Sequence, residues 1–597
     1  MAAFKNRRIW FFEHNSIILR WNRVIINLIS FVVFGLMIAR YGFNFEGKTS
    51  ELWIPTIRAF YFIYAFNFLF RMSIERKKIT FIRAHLFETL IFCLIALGGI
   101  SYFGFSTSHL QKFASIMGND RKYYEFFLLF FLLLLALIEF VKSLNFVVSS
   151  TIKPAILFLL SFVFVISAGT GLLMLPGFNN QNTFLDFFDA LFVSTSAVCI
   201  TGLSTIEIGT FFNIKGQIIL LLLIQMGGVG LLTFASFFAT YIKKGIGIKQ
   251  QVLMNELFNM DSLNSSFSFI KRMLFLFFGL ELVGVAAVLL SWGDYPFESF
   301  GQKLYYTIFH VGSAFCNAGF SLFPDATKNE IINRMYLWQY VMGGLMIFGG
   351  LGFPALIDVF SIRRLRERVR LTWKGWELGT KISLYSSLIL LIIGCLFFFF
   401  LYINGSFYQE NTIEKLSISF FQSAGLRTTG MGSVDLALVP QSLILLCMFL
   451  MFIGGGSSSL AGGIKTSTFV VAFVAILGTI SGKKEAILGG RSVSNELIYK
   501  AFAIIVFSGN YILLVITALS FSDPDIPFLK LTFEAVSAFT NTGLSMGITS
   551  SMSDVGKVIL SFAMFGGRVG VLTLAFALSS KAKPNTIHYP KTHLIIG

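Results

Sequence analysis

The chain has 597 residues, of which 55% are hydrophobic and 13% charged, with a net charge of +17. A soluble domain of this size needs more charge to cover its surface, so the composition excludes a water-soluble globular protein. The positive charge does not point to a nucleic-acid partner. It clusters in short connecting segments: Lys5, Arg7 and Arg8; Arg76, Lys77 and Lys78; Lys243 and Lys244; Arg363, Arg364, Arg366, Arg368 and Arg370; Lys483 and Lys484. With these segments in the cytoplasm every second loop is basic, as the positive-inside rule requires.

In chain order, four spans are expected over residues 24–41, 53–71, 80–104 and 124–150. The first is read as a retained helix, because no small-residue cleavage site follows it. Four pairs of spans come next: 154–175 with 217–241, 272–292 with 338–360, 382–403 with 441–480, and 498–521 with 556–580. Alternation of period two is rare, which argues against a β-barrel; backbone in lipid must then be satisfied within helices. This count places the N- and C-termini in the cytoplasm. The cysteines Cys93, Cys199, Cys316, Cys395 and Cys447 lie in or beside apolar segments without CxxC spacing, so neither disulfides nor zinc are indicated.

The segment inside each pair holds a short apolar stretch: Phe187–Ser196, Tyr305–Ser313, Leu416–Ser423 and Leu531–Ser537. Each is shorter than the roughly 20 residues that cross a bilayer, and reads as a re-entrant helix. The sequences that follow are related: Ser196-Ala-Val-Cys-Ile-Thr-Gly202, Ser313-Ala-Phe-Cys-Asn-Ala-Gly319, Arg427-Thr-Thr-Gly430 and Ser537-Ala-Phe-Thr-Asn-Thr-Gly543. A glycine-rich element recurs in the second spans: Gln225-Met-Gly-Gly-Val-Gly230, Ile347-Phe-Gly-Gly-Leu-Gly352, Phe452-Ile-Gly-Gly-Gly456 and Met564-Phe-Gly-Gly-Arg568. Both parts recur in order, which marks an internal repeat. Close helix packing alone accounts for the glycine pairs of the spans but not for glycines outside them.

A half-span helix aims the negative end of its dipole at the pore axis. Glycine after it lets carbonyl oxygens turn inward, and a ring of four such segments can replace the water shell of a potassium ion. The expected ion-binding positions are Ile200, Thr201 and Gly202; Asn317, Ala318 and Gly319; Thr428, Thr429 and Gly430; and Asn541, Thr542 and Gly543. Their side chains differ widely, which fits use of the backbone.

The third second-span is too long for one helix, and its middle reads Gly454-Gly455-Gly456-Ser457-Ser458-Ser459-Leu-Ala-Gly462-Gly463-Ile-Lys465. Two half-helices joined by a loop at membrane depth are expected, and such a loop must line a cavity. Arg568 is a lone charge deep in the last span, which costs at least about 2.5–3.5 kcal/mol without partners. It is expected to hold the loop through carbonyls, with pairing to a membrane carboxylate as the alternative. Lys465 either acts likewise or snorkels to the cytoplasm. Arg427 is expected to brace the third filter loop through its five donors, with setting the field at the outer mouth as the alternative. Asp189, Glu534 and His310 on the re-entrant helices are read as satisfying nearby backbone donors, with tuning of cation attraction as the alternative. The Arg363–Arg370 run has a second possible use as a docking surface for an acidic partner or lipid headgroups.

These motifs resemble the Trk/Ktr/HKT superfamily of potassium transporters, specifically the membrane subunits of bacterial Trk and Ktr systems, over about residues 154–580. The loop Phe421-Gln-Ser-Ala-Gly-Leu-Arg-Thr-Thr-Gly430 is close to that family's third loop, with Leu426 where many relatives carry proline. The resemblance implies an all-α fold of four M1–P-loop–M2 repeats about a pseudo-fourfold pore. It implies an intramembrane gate at the glycine/serine loop and a gating arginine at Arg568. In the family a serine at the first filter glycine goes with sodium permeation, so Gly202 implies potassium uptake; a sodium transporter of the same architecture is the alternative. Also implied are homodimers in a bacterial inner membrane and a cytoplasmic ring of nucleotide-binding subunits. No cofactor is expected beyond K+ as the transported ion.

The expected organisation is a four-helix extension over 1–152, then pore repeats over 153–245, 246–362, 363–482 and 483–597. An intramembrane serine enzyme is not expected, because the chain's 6 histidines offer no general base near Ser457–Ser459. A carrier with inverted repeats is not favoured either, since the repeats share one orientation.

Overall fold

A computed structural model describes residues 15–43, 53–74, isolated positions between 78 and 92, and 154–570 except 231–264, 294, 325–329, 372–374, 405–411 and 484. The expected spans 80–104 and 124–150 lie outside the continuous described stretches. Helices α1 (Asn15–Gly42) and α2 (Trp53–Ile74) match the first two expected spans and pack together. They meet through Ser30 Oγ and Tyr64 Oη, 2.6 Å apart, and through Asn22 Nδ2 donating to Asn67 Oδ1 at 2.7 Å.

From residue 154 the chain runs through four helical units. The first is α3 (Pro154–Leu173), α4 (Phe187–Cys199) and α5 (Ile214–Val229). The second is α6 (Ser265–Ser291), α7 (Phe300–Phe315), α8 (Tyr336–Leu351) and α9 (Phe353–Phe360), followed by α10 (Ile362–Arg370). The third is α11 (Leu378–Asn404), α12 (Thr412–Thr428), α13 (Gln441–Phe452) and α14 (Thr466–Ile480), and a hairpin of β1 (Ile487–Leu488) and β2 (Arg491–Ser492) follows. The fourth is α15 (Asn495–Ser522), α16 (Phe528–Thr540) and α17 (Asp554–Val569).

Local chemistry sets these starts. Asp186 caps α4 by accepting from Phe188 N, Asn213 caps α5 through Lys215 N and Gly216 N, and Ser299 and Ser553 cap α7 and α17.

Packing is inverted relative to a soluble protein. Large apolar side chains face outward, such as Phe275, Leu282, Leu290 and Phe521, each more than 70% exposed. Ser194, His310, Gln339, Gln422 and Glu534 are wholly buried. That is what a helical membrane protein requires: hydrocarbon outside, hydrogen-bonded polar groups within. Spans Ile156–Leu173, Phe269–Ser291, Leu378–Phe400 and Asn495–Ser522 are each long and apolar enough to cross a bilayer.

The four units contact one another in a cycle. Helix α5 packs on α7, α8 on α12, α13 on α16, and α17 closes on α4. Three of the second spans stop short of their expected ends. Helices α5, α8 and α17 each run 16 residues and end at Gly230, Gly352 and Gly570, with φ of 81°, 95° and 86°. After Gly352 the chain bends by 109° into α9. The span expected over 338–360 is therefore not a straight helix, and the break anticipated only in the third unit has a counterpart in the second. Glycine is the residue that takes such a φ without a Cβ penalty.

Helix α10 follows α9 and is anchored by buried Asp358, with Glu377 Oε1 also accepting from Arg364 Nη1 at 2.7 Å. Buried Asp358 Oδ1 accepts from Arg364 Nη1 at 2.7 Å and Arg368 Nη2 at 2.5 Å, and its Oδ2 accepts from Glu377 N. Arg363, Arg366 and Arg370 stay exposed. Removing a partly buried charge partner costs about 1–3 kcal/mol. Asp358→Ala is expected to release α10 and speed limited trypsin cleavage within it roughly tenfold or more; unchanged cleavage would mean that α10 is held by something else.

Candidate functional site

Helices α4, α7, α12 and α16 all end at one place, and the segments after them meet there. Three of them end by the same turn. Ile200, Asn317 and Asn541 adopt left-handed φ of 59°, 59° and 51°, and the glycine two residues on has φ of 93°, 75° and 87°. Thr201 N, Ala318 N and Thr542 N then reach back five residues, to Ser196 O, Ser313 O and Ser537 O at 2.7–3.0 Å. Asparagine takes the left-handed region readily, but isoleucine there costs roughly 1–2 kcal/mol. At Ile200 the surrounding structure overrides local preference.

The third segment differs by one residue. Helix α12 continues through buried Leu426 to Thr428, and Gly430 N itself makes the five-residue return, to Gly425 O at 2.9 Å. No left-handed residue precedes Gly430, whose φ is 75°.

The four glycines interlock in cyclic order. A Cβ on Gly202 would lie 2.6 Å from Ala318 O; one on Gly319 would overlap Thr429 O; one on Gly430, Thr542 O; and one on Gly543, Thr201 O. Each glycine Cα thus seats against the carbonyl before the next glycine, and the fourth returns to the first. The expected positions from Ile200 to Gly543 are brought together.

Side chains of the short helices brace the segments beyond the glycines. His310 Nδ1 meets Tyr306 O at 2.7 Å, and its Nε2 accepts from Leu322 N at 3.3 Å and lies 3.1 Å from Ser321 Oγ. This fixes a neutral ring with the proton on Nδ1, because Nε2 must accept. Glu534, at the corresponding place on α16, accepts from Thr549 Oγ1. Gln422 accepts from Val434 N. His310 satisfies a backbone donor, as expected, whereas Glu534 accepts from a side-chain hydroxyl instead. Asp189 instead pairs with Lys557 Nζ at 2.9 Å, joining α4 to α17.

On the opposite side of the glycines from those braces, residues 453–465 form the expected break between α13 and α14. Ile453 and Ile464 make a parallel bridge, with Gly454 N donating to Ile464 O at 2.9 Å. The loop leans on the second unit: Gly456 N donates to Gly350 O at 2.7 Å, Leu460 N to Gly349 O, and Phe353 N to Ser458 O. Ser457 Oγ lies 2.6 Å from Ser467 Oγ, and Ser458 has a φ of 55°. Gly455 packs beside Gly350 O, and Gly462 lies against Asn541 Oδ1. Gly463 takes a φ of 68° at the return.

Three cations hold this loop through carbonyls. Arg568 donates from Nη1 to Leu460 O and from Nη2 to Gly227 O at 2.7 Å. It sits where α5 and α8 carry Gly228 and Gly350, counted from their capping glycines. Its hydrogen bonds go to carbonyls rather than to a carboxylate. Lys465 Nζ folds back to Ala461 O at 2.5 Å instead of extending away. Arg427 reaches Ser387 O at 3.2 Å, Ser387 Oγ at 3.3 Å and Gly454 O at 3.4 Å, so its hydrogen bonds tie α11 and the 453–465 loop to α12 rather than bracing the third filter loop as expected.

Two polar contacts escaped the sequence reading. Gln225 Nε2 donates to Glu281 Oε1 at 2.7 Å, and Cys316 Sγ lies 3.9 Å from both residues. The lone acid inside span 272–292 was the available signal, since intramembrane charge needs a partner. Buried Asp358 at the end of α9 was the other.

Interlocked half-span helices, an inverted polar interior and a cation-held loop define a multi-pass membrane transport protein. A family model described as "TrkH: Cation transport protein" matches residues 156–587, and the chain belongs to that family. It is 36% identical to "Ktr system potassium uptake protein B" of Bacillus subtilis (strain 168), over 73% of this chain and 95% of the relative. It is 32% identical to "Potassium/sodium uptake protein NtpJ" of Enterococcus hirae, over 75% of this chain and 98% of the relative. The fold is shared with the crystal structure of the potassium transporter TrkH from Vibrio parahaemolyticus, at a TM-score of 0.59 and 15% identity, covering 81% of this chain and 97% of that one. The relatives are ion transporters, in line with the expectation that this chain is not an enzyme.

Proposed function

We propose that this protein takes up potassium through one pore at the pseudo-fourfold meeting of its four units. The carrying observation is the cyclic seating of Gly202, Gly319, Gly430 and Gly543 against the carbonyls of Ala318, Thr429, Thr542 and Thr201. This supports a common ring with one backbone oxygen from each unit and the C-terminal end of a helix dipole behind each. Carbonyl rings of this kind replace the hydration shell of K+. The names of the relatives support potassium over other solutes, and glycine in every loop supports potassium over sodium.

The loop 453–465 is the gate in this reading, and Arg568 is its latch. It lies beneath the ring, and its backbone is held shut by arginine and lysine donors together with hydrogen bonds to the second unit. The protein works as a homodimer in a bacterial inner membrane, both termini cytoplasmic. The exposed Arg363, Arg366 and Arg370 face a cytoplasmic nucleotide-binding ring. K+ is cargo, and no resident cofactor is required.

Growth at low potassium of a bacterium lacking its uptake systems tests the reading. Wild type rescues growth, alone or with a ring subunit co-expressed. Gly202→Ser lowers the preference for K+ over Na+ about tenfold or more, because its side chain displaces the Ala318 carbonyl. Absence of rescue under both conditions, with protein in the membrane, would overturn it.

A further inference from the structure

The side chains two and one residues before the glycines are complementary rather than merely tolerated. Asn541 Nδ2, in the fourth segment, donates to Thr201 Oγ1 of the first at 2.8 Å and to Met564 O of its own α17 at 2.9 Å. In the second segment the Asn317 amide, oriented by the groups around it, repeats this. Its nitrogen donates to Thr429 Oγ1 of the third segment at 2.7 Å and to Met346 O of its own α8 at 3.1 Å. Met346 and Met564 hold the same position, six residues before capping glycines Gly352 and Gly570. All four polar residues are at most 1% exposed.

The other two junctions lack this pairing. Between the first and second segments Ile200 and Ala318 are apolar. Between the third and fourth, Thr428 Oγ1 lies 3.4 Å from Thr429 Oγ1 and Thr542 Oγ1 2.8 Å from Thr540 Oγ1, each within its own segment. The ring is therefore stitched at alternate junctions.

The geometry points to Asn317 and Asn541 as positioning residues for ion selectivity. Each latches its loop to the threonine of the next, Asn541 to Thr201 and Asn317 to Thr429, and fixes the ring's diameter as two stitched pairs. This rests on the proposed carbonyl filter. The threonines are those whose own carbonyls seat against Gly543 and Gly319, so each latch ties down a ring oxygen. A buried, geometrically correct hydrogen bond resists the small displacement that separates a ring sized for K+ from one that closes on Na+.

The amide oxygens carry the constraint toward the gate. Asn317 Oδ1 accepts from Gly350 N at 3.1 Å, and Gly350 O accepts from the gate residue Gly456 N. Asn541 Oδ1 lies against Gly462 and Gly567. Ring and gate loop thus share two side chains.

The test is uptake into proteoliposomes of the full chain, measured with a rubidium tracer against competing K+ or Na+. Thr201→Val is nearly isosteric and removes only the accepting hydroxyl. It and Asn541→Leu are each expected to lower K+ preference over Na+ about fivefold, and the double variant to lower it no further. Thr201→Val with Thr429→Val severs both latches, and their effects are expected to multiply. Should Asn541→Leu fail to assemble, the two threonine variants carry the test. Unchanged preference in both threonine variants, alongside a changed one in Gly202→Ser, would overturn the latch and leave the filter standing. Unchanged preference in Gly202→Ser as well would overturn both.

Discussion

Alanine at Gly543 is expected to lower potassium uptake at least about 100-fold while leaving the protein assembled in the membrane. Two independent effects coincide there. Gly543 has a φ of 87°, a conformation that costs an L-residue roughly 1–3 kcal/mol. Its added Cβ would also overlap the Thr201 carbonyl oxygen, and backbone cannot swing aside as a flexible side chain can. Thr201 N is hydrogen-bonded to Ser196 O and Thr201 Oγ1 to Asn541, so relief must come from displacing the ring itself. Each 1.4 kcal/mol is a factor of ten, and the two effects together exceed twice that. Uptake within threefold of wild type would show that the ring is not the ion's path.

Removal of the Arg568 guanidinium is expected to act in the opposite direction. Arg568→Ala frees Leu460 O and Gly227 O, and hydrogen bonds from a charged donor contribute about 1.5–3 kcal/mol each. Losing both shifts the gate loop toward release by about 100-fold or more, seen as potassium flux without activation. Arg568→Lys retains the charge but not the fork that spans two carbonyls, and is expected to fall between. A flux equal to or below wild type, in protein of normal abundance, would contradict the latch. The contact from Lys465 to Ala461 O limits the effect, because it holds the same loop from within.

The half-span helices, their glycines and the break at 453–465 were legible because each is a departure from a uniform span, repeated along the chain. The bend at Gly352 and the helix ends at Gly230 and Gly570 were not, since a single glycine inside an apolar run reads as close packing as readily as a cap. The one-residue shift of the third segment was hidden for a related reason. Thr428 and Thr429 are as compatible with the end of a helix as with an extended turn, and only the return from Gly430 N to Gly425 O separates them.

The variation at Ile200, Thr201, Asn317, Ala318, Thr428, Thr429, Asn541 and Thr542 suggested that only backbone matters there. The structure adds that Asn–Thr pairs alternate around the ring, a pattern that requires knowing which loop is whose neighbour. Gln225 was visible within a quoted motif but had no evident partner, because Glu281 lies 56 residues away and meets it only in three dimensions.

Competition in proteoliposomes of the purified wild-type protein tests the central claim most directly. Tracer rubidium uptake is followed while external K+ or Na+ is raised separately. A carbonyl ring sized by four interlocked glycines predicts that K+ suppresses tracer uptake at concentrations at least about tenfold lower than Na+ does. Equal suppression by the two ions, or tracer uptake no greater than in empty vesicles with or without a ring subunit, would contradict it.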